Sequence, residues 1–295
     1  MFLETEMVIM NEPESKNHFA GGKAAQISYS SSGSAIVGAR PVAEGPYGFS
    51  RAHKSVRPIP FDGLLTNKLL TALPGEDFAR LLPHLEPISL ATGEDLYGSR
   101  GSIHHVYFPE TVVISHLYFM EDGSMTSAAI IGREGIVGLS RIFGALSPSS
   151  YLTQVTIGGS ALRVETEVIR EEFARGGAMQ SLLLNYTGAR LAQLSQRAVC
   201  NGRHRLDERL CTWVLMIHDR AGEENLPLTH EEIAHHLGAR RAGITAACNA
   251  LRESGAINYR RGIIRVLDRQ RLVEAACECY QALRPTVENP WRRRP

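Results

Sequence analysis

Across residues 64–283 the spacing of apolar side chains changes more than once, and each change marks a different kind of element. Around residues 69–85, Leu70, Phe78, Leu81, Leu82 and Leu85 fall at helical spacing interrupted by Pro74 and Pro83, which predicts short helices rather than one long one. From Ile88 to Val164 the pattern becomes short β-type runs separated by Gly, at residues 103–108, 112–119, 124–131, 151–157 and 161–164. Asp122-Gly123 lies between the second and third runs and predicts a hairpin, because Gly accepts the positive φ of a tight turn. Many short strands without long intervening helices predict a sandwich, barrel or jelly roll.

Helical spacing returns from Met179 to about Val199, on two faces: Leu184, Leu191, Leu194 and Ala198 on one, Met179, Leu182, Tyr186 and Ala189 on the other. A helix apolar on two sides has to bury both, one against its own barrel and the other against a second copy of the chain. Asn201-Gly202 is expected to end this helix, with Asn201 capping the next. That next helix carries Leu206, Leu210, Trp213, Val214 and Ile217 as one stripe.

The segment from Leu228 to Leu251 reads as two short helices joined by a tight turn. Thr229 and Glu232 have capping-box spacing, Ile233, Ala234 and Leu237 supply a buried face, and Gly238 ends the first helix. A second helix from about Arg241 buries Ile244, Ala247, Cys248 and Leu251. The result is a helix-turn-helix whose outward positions are Arg241, Ala242, Thr245, Ala246 and Asn249. Small side chains let such a face approach the floor of a major groove, where Arg241 is placed to donate a bidentate pair to a guanine edge. Beyond Gly255, residues 257–259 and 263–267 flank the turn Arg260-Arg261-Gly262 and predict a small hairpin, the wing. Arg260 and Arg261 at its tip would meet phosphates and add salt-sensitive affinity without reading sequence.

The 295 residues, with 43% hydrophobic and 21% charged side chains, suit a globular chain of about two domains. Residues 1–57 are rich in Gly, Ser and Ala and are expected to form a disordered tail. Residues 284–295, ending in Trp291-Arg292-Arg293-Arg294, are expected to form a flexible basic one. No uninterrupted apolar run is long enough for a membrane helix, and Met1 to Met10 does not read as a secretory signal. All 5 Cys lie from Cys200 onward, an odd number that suits reduced thiols in a cytoplasm better than a disulfide framework. The net charge of +1 predicts no polyanionic partner. Its distribution does: Arg240, Arg241, Arg252, Arg260, Arg261 and Arg265 are opposed between residues 240 and 265 by Glu253 alone.

In this order the barrel, long helix, helix-turn-helix and wing resemble the Crp/Fnr family of bacterial transcription regulators, over residues 64–283. Cys200-Asn201 with His204, Arg209-Leu210 with Trp213, Asp219-Arg220, Arg240-Arg241, Tyr259 with Arg261-Gly262, and Ala276-Cys277-Glu278-Cys279-Tyr280 resemble one sub-group without a settled effector. The resemblance implies an α+β chain: a cyclic-nucleotide-binding-like jelly roll at 58–178, a dimerisation helix at 179–200 and a winged helix-turn-helix at 201–283. It implies a homodimer on a pseudo-palindromic DNA operator, RNA polymerase as a further partner, and DNA contacts from Thr229, Arg240, Arg241, Ala242, Thr245, Ala246, Asn249, Arg252, Arg260 and Arg261. Arg241 falls where the family carries a base-reading Arg, but Ala242 stands where its acidic base reader would be, so the family's best-known operator is not implied. A cyclic nucleotide needs an Arg for its phosphate and a Glu for its ribose. Gly138 stands about where that Glu would be and Tyr151 about where that Arg would be, so cyclic AMP is disfavoured. An iron–sulfur cluster of the related type needs N-terminal Cys, which this chain lacks. No cofactor and no metal are expected.

Three further clusters of His and Cys suggest other chemistry. His230-Glu231 with His235 lacks zinc-protease spacing, because Ala234 occupies the position one turn on. His104-His105 suggests a metal-dependent jelly-roll enzyme, yet neighbours on a regular strand face opposite ways and cannot share an ion. Read as helical, Cys277 and Cys279 point apart, which opposes an internal disulfide and leaves redox sensing the weaker reading. A metal-using barrel enzyme and a winged helix binding protein rather than DNA are the two competing classes.

Overall fold

The computed structural model describes residues 57–59, 65–97, 104–144 and 151–288, with side chains to Arg284. The expected disordered segment at 1–57 therefore lies outside the described residues except for Arg57, in the two-residue strand β1 (Arg57–Pro58).

Asn67 starts the helical lead-in, its side chain accepting from the amides of Leu69 and Leu70 to cap α1 (Lys68–Thr71). Pro74 stands at the N-cap of α2 (Gly75–Leu81), and Pro83 lies in a single 3₁₀ turn at Leu82–His84. Seven strands follow: β2 (Glu86–Leu90), β3 (Asp95–Tyr97), β4 (His105–Pro109), β5 (Val113–Phe119), β6 (Met125–Ile131), β7 (Tyr151–Ile157) and β8 (Gly159–Glu165). They form two antiparallel four-stranded sheets, ordered β1-β2-β8-β4 and β3-β7-β5-β6. The turn at Asp122-Gly123 joins β5 to β6 as expected.

Ile88, Leu90, Tyr107, Ala161, Ile114 and Val155 fill the space between the sheets. The outer faces are also covered. Val106, Phe108, Leu162 and Val164 lie under the helices, and Val113, Ile130 and Ile157 join the core of the C-terminal half. With both faces buried, clean alternation is lost, as in β4, where four of five residues are buried. β2 and β3 were not singled out by the pattern: β2 contains a Pro, and β3 is only three residues long.

After a short α3 (Leu139–Ile142) in the barrel and α4 (Thr166–Ala174) behind it, the chain enters α5 (Gly177–Arg203), of 27 residues. This corrects the expected break at Asn201-Gly202. Both residues are helical and exposed, and Asn201 caps nothing. The chain turns instead at extended His204 and Arg205, where the Glu208 carboxylate accepts from the Arg205 amide at 3.0 Å and opens α6 (Leu206–Ala221). β9 (Asn225–Pro227), α7 (His230–Leu237), α8 (Arg241–Glu253), β10 (Ile257–Arg260), β11 (Ile263–Val266), α9 (Arg269–Ala275) and α10 (Cys279–Glu288) complete the described chain. β9 adds a third strand to the wing sheet, ordered β10-β11-β9. α10 carries helix into the segment expected to be a flexible tail, with Leu283 buried, and residues 289–295 lie outside the described residues.

β6 is the free edge of its sheet, and guanidinium groups satisfy its carbonyls: Arg190 Nη1 donates to Ile130 O at 3.1 Å and Arg197 Nη2 to Ser127 O at 3.2 Å. Arg220, fully buried in α6, reaches the turn after β6 and pairs with Glu134 at 2.7 Å. Asp219 next to it binds Arg269 at 2.8 Å and the Tyr280 hydroxyl at 2.7 Å, tying α6 to α9 and α10.

Candidate nucleic-acid interface

Local chemistry sets the two helices of the site. Thr229 is the N-cap of α7: its Oγ1 accepts from the Glu232 amide at 3.2 Å while the Glu232 carboxylate accepts from the Thr229 amide at 2.7 Å. Gly238 closes the helix at φ 58°, and Arg209 Nη2 donates to the Leu237 carbonyl at 2.6 Å. Ile233, Ala234 and Leu237 from α7 and Ile244, Ala247, Cys248 and Leu251 from α8 are all buried, as the spacing requires.

The opposite face of α8 is open. Arg241, Ala242, Ala246, Asn249 and Arg252 are exposed, with Arg240 at the N-cap, and Thr245 is half-buried. The Arg241 side chain is 71% exposed, and among the described residues its ion pair is a loose one, 3.8 Å from Glu231, so its guanidinium can swing outward. In the wing, Arg260 pairs with Ile263 and leaves Arg261-Gly262 as a two-residue loop with φ 52° and 77°. Positive φ at both positions is the type I′ turn that matches the twist of a hairpin, which is why Gly follows Arg261. Arg260 and Arg261 are both exposed at this tip, and a Cβ on Gly262 would stand 3.3 Å from Thr229 Cγ2, so the tip lies beside the start of α7. Arg265, part of the same basic run, instead pairs with Glu224 at 3.1 Å.

Two residues of this site, His230 and Tyr259, are not assigned to it by the sequence pattern. His230 stacks on Tyr259 of β10 at 4.0 Å, and its Nδ1 lies 3.0 Å from Thr245 Oγ1, which donates in turn to the Arg241 carbonyl at 3.0 Å. His230 thus links both helices and the wing. Burial and then the Arg241 charge lower its pKa, which favours the neutral ring. The signal was present in the Thr229-His230 and Asn258-Tyr259 pairs, but only contact joins them.

In the barrel, Gly138 has φ 100°, and a Cβ there would fall 2.9 Å from Val106 Cγ1, so no acidic side chain fits that position. Tyr151 is stacked on His116 at 4.2 Å and sits 5.4 Å from Tyr118. Neither position supplies a charge to a nucleotide. His104 is exposed just ahead of β4, while His105 lies within the strand.

α5 buries Met179, Leu183, Tyr186, Gln193, Arg197 and Cys200 on one side. Leu184, Gly188, Leu191, Ser195 and Ala198 form an exposed stripe on the other, alternating steps of four and three residues, flanked by exposed Leu194 and Val199. That is the seam spacing of paired helices.

Two antiparallel sheets, a long helix, a helix-turn-helix and a three-stranded wing make up this fold, which solved structures of Crp/Fnr-family regulators share. Residues 208–275 match the Crp-like helix-turn-helix domain family. Solved structures of similar fold include a transcriptional regulator of the Crp/Fnr family from Eubacterium rectale, at 17% identity over 70% of this chain and 97% of that one, with a TM-score of 0.56. FixK2 from Bradyrhizobium japonicum is similar at 19% identity over 65% and 98%, TM-score 0.56. The c-di-GMP-responsive regulator CLP of Xanthomonas campestris is similar at 14% identity over 65% and 99%, TM-score 0.53. No curated protein sequence matches this one. Among the described residues no helix is long and apolar enough to cross a membrane.

Proposed function

We propose that this protein is a sequence-specific, homodimeric DNA-binding transcription regulator of the Crp/Fnr type. The observation that carries the reading is the outward face of α8: Arg241 among Ala242, Ala246 and Asn249, with Arg260 and Arg261 on the wing beside it. Small side chains admit the helix to a major groove, Arg241 reads a guanine edge, and Arg240, Arg252 and the wing arginines meet phosphates. Thr229 and Thr245 hold the frame: the first caps α7 and the second supports the Arg241 backbone. Two copies paired along the exposed stripe of α5 would present two reading helices to half-sites about 34 Å apart, one turn of DNA.

The barrel serves as the sensory part, and its signal is neither a cyclic nucleotide held by an Arg–Glu pair nor an iron–sulfur cluster on N-terminal cysteines. The chain acts without catalysis in the cytoplasm, with RNA polymerase as the further partner. The test is to map bound genomic sites, then measure affinity for a recovered operator and for random duplex. Arg241→Ala should weaken operator binding about 5- to 150-fold, equivalent to ~1 to 3 kcal/mol, and relax preference at one base pair. Equal losses on both duplexes would refute base reading, and absence of any duplex binding at low salt would refute the proposal.

A further inference from the structure

The DNA-binding reading does not use Cys200, His204, Cys277 and Cys279. These four residues come from the end of α5 and the link into α10, and their sulfur and nitrogen ligand atoms all lie within 4.8 Å of one another. We propose that they form a closed, four-coordinate site for a single zinc ion, which clasps the long helix to the C-terminal helix of the DNA-binding half.

The distances suit a tetrahedron. With Zn–S bonds of about 2.3 Å and Zn–N bonds of about 2.1 Å, neighbouring ligand atoms should stand roughly 3.6 to 3.8 Å apart. Cys200 Sγ lies 3.5 Å from Cys277 Sγ, and Cys279 Sγ lies 3.5 Å from His204 Nδ1. Cys200 and His204 are i and i+4, one above the other on the same side of the chain. Cys277 precedes α10 in non-helical backbone and Cys279 is its first residue, so the divergence expected of two helical thiols does not apply and both face inward. This departs from the expectation of no metal, for a reason the sequence did not display: Cys200 and Cys277 are 77 positions apart.

The surroundings are those of a ligand set. His204 offers Nδ1 to the centre while Nε2 lies 3.1 Å from the Glu278 carboxylate, the arrangement that fixes the tautomer of a metal-bound histidine. Gln196 Nε2 donates to Cys279 Sγ at 3.1 Å, and Thr212 Oγ1 lies 3.1 Å from Cys277 Sγ. The three cysteines are almost fully buried, and His204 is 15% exposed. Binding Zn²⁺ would send three thiol protons to solvent and leave a net charge of −1, which the buried guanidinium of Arg197, one turn before Cys200, offsets. All four ligands are protein groups, so the site is structural. An iron–sulfur cluster spreads its thiolates over several irons, more widely than this set.

Element analysis of the full-length protein, purified reduced and without a metal-affinity tag, should find about one zinc per chain. Cys277→Ser and Cys279→Ser should each drop it below about 0.2, while Cys211→Ala, a buried thiol outside the set, should leave it in place. Should the variants fail to fold, wild-type protein stripped of metal and titrated with Co²⁺ gives an independent readout. A thiolate-to-cobalt charge-transfer band and intense tetrahedral visible bands, displaced by one equivalent of Zn²⁺, are expected. Folded, reduced protein that holds less than about 0.1 metal and gives no cobalt bands would overturn the proposal, as would zinc content unchanged in Cys277→Ser and Cys279→Ser. Neither measurement involves DNA, so its failure is distinct from failure of the regulator reading.

Discussion

On the proposed reading Arg241 meets bases and Arg261 meets phosphates, and the two should separate in a salt titration. Arg261→Gly keeps the positive-φ turn while removing charge, so it should lower operator and random affinity alike and reduce the slope of log K against log salt by about 1. Two buried histidines make a separate prediction. His116 and His236 are both pushed down to about 3, first by burial and then by a neighbouring arginine, Arg190 for the one and Arg197 for the other. The unfolded chain takes up these protons near pH 6.5 and the folded chain only near pH 3, so stability is present above pH 6.5 and declines through that window on acidification. Each histidine contributes a slope approaching about 1.4 kcal/mol per pH unit. Denaturant unfolding of wild type and His236→Gln at pH 7 and pH 5 checks this: the variant should lose less between the two pH values. Asp219 follows the same sign at lower pH. Burial works against its charge, but His218, Arg269 and Tyr280 together hold it at about 2, so its contribution is lost as pH falls from 3.8 toward 2.

The elements meet through a few polar anchors set in apolar packing. Arg220 in α6 and Glu134 after β6 are both buried, and among the described residues each leaves a further polar atom without a partner, so this pair has no reserve. Arg220→Ala should cost about 3 to 5 kcal/mol because Glu134 is left charged and alone, whereas Arg220→Met with Glu134→Leu should recover much of the loss. Denaturant midpoints of the single and double variants decide it. Thr229→Ala removes a cap on an exposed helix start and should cost only about 1 kcal/mol. At this scale β4 to β8, α6, α7, α8 and the β10–β11 hairpin were readable because each follows a local rule: alternation between turns, capping spacing, a stripe, or glycine at a positive φ. The end of α5 was not. Asn201-Gly202 is a fair local stop signal, but Cys200 packs into the core just before it, and the helix runs on to Arg203.

At the scale of the whole molecule, the proposed dimer rests on the exposed stripe of α5. Leu191→Glu should leave the chain folded, since Leu191 is 62% exposed, yet shift it from dimer to monomer in sedimentation and weaken operator binding by at least about tenfold. A dimeric Leu191→Glu would place the interface elsewhere.

Neighbouring residues along the chain were enough to specify β4 to β8, the long helix, the helix-turn-helix with its buried and open faces, and the charge of its open face, because caps, turns and periodicity act within a few positions. Folding alone settled what depends on distant residues meeting: the docking of α6 and α7 onto the edge of β6, the His230–Thr245–Tyr259 frame beneath Arg241, and the gathering of Cys200 and His204 with Cys277 and Cys279. Such contacts follow from how two surfaces fit once the chain is packed, and no local spacing encodes that fit.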